Sequence, residues 1–390
     1  MPRQPSSTAL RRKLVEGLQA AGHITDPAVR KAFLTVPRER FLPGSSLEEV
    51  YADEVVVIRK DAYGMATSSS SQPAIMAIML ERLELAPGVR VLEIGAGTGY
   101  NAALLSTLAG PVTSVELEPD LADAAAAALA SGGYPVKVVT GDGREGWPEG
   151  APYDRIVLTA STDTVCRAWF DQLAPGGLLQ LPLHLKGPDL QAVVTLRKED
   201  DRLRSTDVVD GGFMVLRRPD AASTGYRGSS ITVSDHVEGR YRSIGSLAGD
   251  ELRRLKPSAR RRLAALLLTE PRTRRRARTR GSVYWLTLAG PRGAVVSRYF
   301  RSGLKMPAVA VSALDGRSLA VAVGSRLESY GDDAACEVLT GLLDDWRAQG
   351  SPTTENLDVS VTYPNGAPLL RVRWREVASR AQSSTVRARR

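Results

Sequence analysis

The sequence predicts an α/β fold built on a parallel sheet wrapped by helices, and three observations carry that expectation. From residue 89 onward, short apolar runs alternate with helix-length amphipathic runs. At the first junction, VRVLEIGAGTG (89–99), glycines recur at G-x-G-x-G spacing as Gly95, Gly97 and Gly99. Glycine there lets the backbone turn tightly and a ligand approach closely. Polar residues then fall at successive strand ends, Glu116, Asp142 and Thr159. Ligands of such sheets bind beyond the carboxyl ends of the strands.

Taken in order, Leu10, Leu14, Val15 and Leu18 give a helical stripe over 8–21. A β-rich stretch follows at Val55–Ile58, then a tetraserine, Ser68–Ser71. Pro73 opens a helix whose methionines suit core filling. The alternating region reads as strands at 89–94, 112–116, 136–140, 154–159 and 177–182, with helices at 99–109, 118–131 and 162–173. Further strands near 190–197 and 212–217 would complete the sheet.

A chain of 390 residues accommodates two domains. The expected division is a catalytic domain 1–218, a linker 219–230, a basic α+β accessory domain 231–380 and a frayed tail 381–390. Hydrophobic residues make up 43% and charged residues 24%, as in globular proteins. With aromatics at only 5%, the cores must come from Leu, Val and Ala. No apolar run is long enough to span a membrane, and Arg11, Arg12 and Lys13 interrupt any signal-peptide core. Cys166 and Cys336 lie too far apart in sequence to suggest a disulfide framework or zinc site, which fits a reducing cytoplasm. His23, His184 and His236 are isolated, so no metal centre is expected. The net charge of +9 is consistent with an acidic partner, whether nucleic acid, peptide or anionic surface, or with a mere arginine habit. The densest basic run is Arg253–Arg280.

Glu93 precedes the glycines, where a pyrophosphate would meet an unwelcome negative charge. S-adenosylmethionine, with an amino group and a positive sulfur, has no such objection. Glu116, 21 positions after Gly95, can accept both hydroxyls of a ribose, although a plain exposed strand-end carboxylate would read the same. Asp142 could accept from an adenine amino group while Gly143 leaves room for the ring; an ordinary Asp-Gly turn is the plainer alternative.

VPRERF (36–41), YAD (51–53), SQP (71–73), VLEIGAGTGYNAALLS (91–106), GDGREGW (141–147), APYDRIVLTA (151–160) and DQLAPGGLLQLPL (171–183) together resemble the protein-L-isoaspartate O-methyltransferase family. The resemblance spans roughly the first 218 residues. It implies a class I, Rossmann-like fold with S-adenosylmethionine as methyl donor. It places cofactor-binding positions on Glu93, Gly95, Ala96, Gly97, Gly99, Glu116, Asp142 and Gly143. Its active-site serine falls on Ser71, with Ser70 and Ser69 beside it. A carboxylate acceptor, with a solution pKa of about 4, is already ionised at neutral pH, so no general base is required. It need only be held in line with the methyl, and hydroxyls suit that task. The serines could instead form a polar loop or cap the helix after Pro73. The ester product loses methanol to the next backbone nitrogen, closing a succinimide that hydrolyses to aspartate or isoaspartate.

Two departures stand out. The approach to the serine reads VVVIRKDAYGMATSSSS, with Arg59, Lys60 and Asp61 where the family carries glycine, and about 170 residues follow the core. Both resemble the branch of the family that works on ribosomally made, modified peptides such as lanthipeptides. That resemblance implies an aspartyl acceptor in a peptide substrate, with the basic run meeting its acidic residues. General repair of isoaspartyl proteins is the alternative. Nucleic-acid methylation fits less well: TAST (159–162) lacks the prolines and ring used for base amines, and Cys166 lies late for a nucleophile. A non-catalytic scaffold is disfavoured by the intact glycines and acids.

Overall fold

The computed structural model describes residues 6–61, 66–186, 190–218, 230–237, 240–279, 281–291, 293–301 and 308–375. The linker expected at 219–230 lies outside them except for its last residue, as does the expected tail 381–390. The chain divides into two compact units that are not consecutive in sequence. The first comprises 1–183, 191–224 and 359–372; the second comprises 184–190, 225–358 and 373–390. The return of 359–372 to the first unit departs from a simple cut near residue 218.

The first unit opens with helices α1 (Ser7–Ala20), α2 (Pro27–Thr35) and α3 (Leu47–Val50). A hairpin of β1 (Val56–Lys60) and β2 (Ala66–Ser70) follows, so Ser68, Ser69 and Ser70 lie on a strand, with Ser71 just beyond its end. Helix α4 (Pro73–Glu81) buries Met76 and Met79, as their helical spacing suggests. Its first turn is capped by Asp53, which accepts from the Ala74 N–H at 2.8 Å; no serine does this.

The alternating region becomes β3 (Val91–Ile94), α5 (Tyr100–Ala109), β4 (Val112–Glu116), α6 (Pro119–Ser131), β5 (Val136–Thr140), β6 (Tyr153–Leu158), α7 (Arg167–Gln172) and β7 (Leu173–Lys186). Then come β8 (Leu190–Glu199) and β9 (Arg202–Asp210). Strands β3 to β7 pair in parallel in the order β7-β6-β3-β4-β5, which brings the carboxyl ends of β3, β4 and β6 to one rim. Strand β3 is buried along its whole length, as a central parallel strand must be.

Two expectations need correction. The helix expected over 162–173 shrinks to α7, because the strand after it starts at Leu173. The Ala-Pro-Gly-Gly at 174–177 is absorbed in a pairing irregularity opposite Asp154. No strand forms at 212–217; only an isolated bridge joins Val215 to Ser161. The strand is instead β9, pairing antiparallel with β8, whose outward charges mask its period-two burial.

The second unit contains β10 (Ser230–Val237), β11 (Arg240–Ala248), α8 (Pro257–Leu266), β12 (Thr273–Arg276), α9 (Val283–Ala289), β13 (Ala294–Arg301), β14 (Ala308–Ala313), β15 (Ser318–Val323), β16 (Arg326–Gly331) and α10 (Ala334–Ala348). Its antiparallel sheet runs β10-β11-β13-β14-β15-β16-β12. Alternate residues serve two cores. Val295, Ala308 and Leu319 pack with Leu263 of α8, whereas Val296, Val309 and Ala320 pack with Leu339 and Trp346 of α10. Both faces are covered, so these strands read as continuous apolar runs. The last strands, β17 (Leu357–Thr362) and β18 (Leu369–Trp374), extend the first unit's sheet beside β9.

Val361 of β17 is fully buried, opposite Leu203 of β9. Val361→Asp is expected to destabilise the protein by about 3 kcal/mol or more, because an unpaired charge would sit in the sheet. Urea unfolding checks this; an unchanged midpoint would mean that β17 is not part of the folded sheet.

Candidate active site

Gly95 leaves β3 with φ +98°, and its N–H donates to the Val115 carbonyl at 2.8 Å. A Cβ at Gly95 would stand 2.4 Å from Thr159 Oγ1, and that hydroxyl donates to the Gly95 carbonyl at 2.6 Å. Gly97, with φ +55°, presents its N–H to Glu116 Oε2 at 2.9 Å. The other oxygen of Glu116 accepts from the Leu117 and Glu118 N–H groups at 2.9 and 3.2 Å. One carboxylate thus fixes the glycine turn against the end of the neighbouring strand.

Glu93 has no solvent exposure. It accepts from Asn101 Nδ2 at 2.9 Å and from the Ser114 hydroxyl at 2.5 Å. Burial outweighs those bonds and pushes its carboxyl up to about 7.

The serine strand is held from beneath by Arg38, which is wholly buried. Its guanidinium donates to the Val50 carbonyl at 2.8 Å, the Ser71 carbonyl at 2.9 Å and the Ser70 hydroxyl at 3.3 Å. It also stacks 5.7 Å from the centre of the Tyr100 ring. Gln72 donates to Asp53 Oδ2 at 3.0 Å, which fixes the turn from Ser71 into α4.

Within the first unit these elements enclose a cavity of about 740 Å³. Ser69, Ser70 and Ser71 line it together with Gly95, Ala96, Gly97, Glu116 and Gly143. The remaining expected contacts do not line it. Glu93 lies behind the wall and acts through Asn101, whose residue does line the cavity. Gly99 is the N-cap of α5, packed toward Leu129. Asp142 accepts from Arg144 Nε and from its backbone N–H, both at 3.0 Å. That neighbouring guanidinium holds the Asp142 carboxyl below the usual carboxylate range. The Asp-Gly-Arg turn therefore satisfies Asp142 locally and offers Gly143 to the cavity instead. A Cβ on Gly143 would stand 2.3 Å from Ile94 Cγ2.

Residue type alone left other contributors unassigned. Asn101 and Thr67 line the cavity, as do residues 210–217, which replace the expected strand. Thr67 Oγ1 is buried without a hydrogen-bond partner among the described residues. Arg38 stood inside a quoted motif with no role given to it. Its pattern of carbonyl partners has no counterpart in local sequence.

The residues present fit S-adenosylmethionine. The volume lies in the range of small-molecule sites, the glycine wall leaves no side chain in the way, and Glu116 supplies an acceptor for hydroxyls. The orphan Thr67 hydroxyl leaves a polar group for a ligand to satisfy. Among the described residues no group of three His, Cys, Asp or Glu stands together to hold a metal, and no helix is long and apolar enough to cross a membrane.

Sheet, glycine turn and cavity define a methyltransferase of the S-adenosylmethionine-dependent α/β class. A family model described as protein-L-isoaspartate(D-aspartate) O-methyltransferase matches residues 9–217, and the chain belongs to that family. A protein-L-isoaspartate O-methyltransferase of Methylorubrum populi is 40% identical over 210 residues, covering 54% of this chain and 96% of the relative. One from Rhodopseudomonas palustris is 42% identical over 212 residues, 54% of this chain and 84% of its own. A solved structure named protein-L-isoaspartate O-methyltransferase aligns with a TM-score of 0.53 and 28% identity, over 93% of this chain and 99% of that one. The protein is an S-adenosylmethionine-dependent protein-L-isoaspartate O-methyltransferase.

Because the Glu93 carboxyl is raised from 4.5 to about 7 on folding, its neutral form contributes stability below pH 4.5 that is lost as pH rises through 7. Glu93→Gln is therefore expected to gain on the wild type between those limits, by an amount on the order of 3 kcal/mol. Unfolding measured across pH checks this; a constant difference would show that Glu93 does not titrate there.

Proposed function

We propose that the cavity takes an isoaspartyl side chain at its serine edge and the methyl donor at its glycine edge. Bound there, S-adenosylmethionine supplies a methyl group on positive sulfur to a carboxylate already ionised at neutral pH. Ser71 and Ser69 are partly exposed on the cavity wall and are assigned to aim one carboxylate oxygen. Ser70, whose hydroxyl accepts from Arg38, is assigned to hold the strand in place. Glu116 is assigned to the ribose hydroxyls, with Gly95, Ala96, Gly97 and Gly143 giving the nucleoside room. No proton need be abstracted, so the lack of a histidine–carboxylate pair in the serine assignment costs nothing. The observation that carries the proposal is that the serine strand and the glycine turn line one cavity together. A Cβ on Gly97 would stand 3.7 Å from the Ser69 carbonyl.

The finer reading, an ordinary aspartyl acceptor in a ribosomally made, modified peptide, is supported by the serine-rich approach strand. Two observations weigh toward the isoaspartyl reading. The solved isoaspartate enzyme aligns over 93% of this chain, so length beyond residue 218 does not distinguish the two. Much of the basic run is also engaged inside its own unit: Arg253 with Asp250 at 3.4 Å, Arg254 with Glu251 at 3.3 Å, Arg274 with Glu328 at 3.6 Å, and Arg272 with Asp333. An RNA C5 nucleophile is disfavoured at Cys166, since burial pushes its thiol up to about 11. Both cysteines are free, consistent with a reducing cytoplasm as the place of work.

Ser71→Ala is expected to lower methyl transfer to an isoaspartyl test peptide about a hundredfold while leaving S-adenosylhomocysteine affinity unchanged. Labelled-methyl incorporation, run in parallel with an aspartate-containing cyclised precursor, checks both assignments. Full activity in the variant would remove Ser71 from the site. Methylation of the precursor alone would replace the isoaspartyl reading with the peptide-maturation one.

A further inference from the structure

We infer that Glu118 is a positioning residue for cofactor retention: it latches the serine hairpin and the 211–217 segment together at the outer edge of the cavity and thereby sets how fast S-adenosylhomocysteine leaves. The inference rests on the cavity being the cofactor site.

Glu118 follows Glu116 and Leu117 directly and is the N-cap residue of α6. Its Oε1 accepts from Arg217 Nη1 at 2.6 Å, and its Oε2 faces Arg59 Nη1 at 3.6 Å. Arg59 also pairs with Asp120 in the first turn of α6. Arg59 lies on β1 opposite Ser68, so this carboxylate grips the hairpin that carries the serines. Arg217 and Leu216 line the cavity, so the same carboxylate grips the wall formed by 211–217. The serine hairpin, the 211–217 wall and the start of α6 therefore meet on one side chain.

The two edges of the hairpin are held differently. The inner edge is bolted by Arg38, which has no exposure, through the Ser70 hydroxyl. The outer edge is held by charges in contact with water: the side chains of Arg59, Glu118 and Arg217 are 31%, 30% and 21% exposed. Ion pairs in contact with water are weaker than buried ones and are screened by salt. A nucleoside must enter and its product leave in every turnover, and the weaker edge is where the wall parts. Arg59, a departure from the family's usual glycine-bearing approach, thus finds its partners inside the first unit rather than on a substrate.

The test is the dissociation rate of labelled S-adenosylhomocysteine from the full-length protein, chased with unlabelled ligand at low and high salt. In the wild type, release is expected to quicken with salt by about three- to tenfold, the range corresponding to exposed pairs. Glu118→Gln should release faster than the wild type at low salt and keep a reduced salt effect, since the Arg59–Asp120 pair remains. Arg217→Met should give part of the change and add nothing to Glu118→Gln, whereas Arg59→Met, which also removes the Asp120 pair, should add to it. Release from Glu118→Gln at the wild-type rate would overturn the latch. So would faster release with undiminished salt dependence, which marks general loosening. A wild type that fails to bind S-adenosylhomocysteine would instead overturn the cavity assignment, and the latch with it.

Discussion

Glu116 receives three backbone N–H groups on its two oxygens, one from the glycine turn and two from the chain leaving its own strand. An ionised carboxylate offers about four acceptor positions, so three are taken by the protein and the remainder is left, already aimed, for a ribose hydroxyl. The geometry is therefore set before any nucleoside arrives. Charge-assisted bonds of this kind are roughly twice as strong as neutral ones, and here they replace side-chain contacts that the glycines cannot make. The parallel register of β3 with β4 and β6 brings the glycine turn, Glu116 and Thr159 to one rim, and the carboxylate then holds the turn in place.

The core of the fold was legible because its signals are local. Short valine-, leucine- and isoleucine-rich runs, recurring between helix-length segments, place β3, β4, β5 and β6 within a residue or two of their observed ends. Strand β9 was not, since its outward arginines and aspartates hide an alternation that only pairing with β8 explains. The return of β17 to the first unit is a long-range event with no local mark.

The site was legible in part, and the expected residues that stand off the cavity share a cause. Glu93, Gly99 and Asp142 were placed from residue type and spacing, which identify the wall without saying which side of it a group faces. Each is drawn away by a near neighbour: Asn101 and Ser114 for Glu93, the packing of Leu129 for Gly99, Arg144 for Asp142. Arg38, Thr67 and Asn101 went unassigned for the converse reason. Their roles depend on carbonyls and cavities assembled from segments tens of residues apart. The tetraserine was read for its chemistry, yet its strand conformation comes from pairing with β1 and from the buried guanidinium below.

Calorimetric titration of S-adenosylhomocysteine into the wild type and into Glu116→Ala bears most directly on the central claim, that the strand-end rim is the cofactor cradle. Saturable binding to the wild type is expected, with affinity at least about tenfold weaker in a variant that still unfolds cooperatively, since the lost groups are charge-assisted. Equal affinity in the two proteins would contradict it.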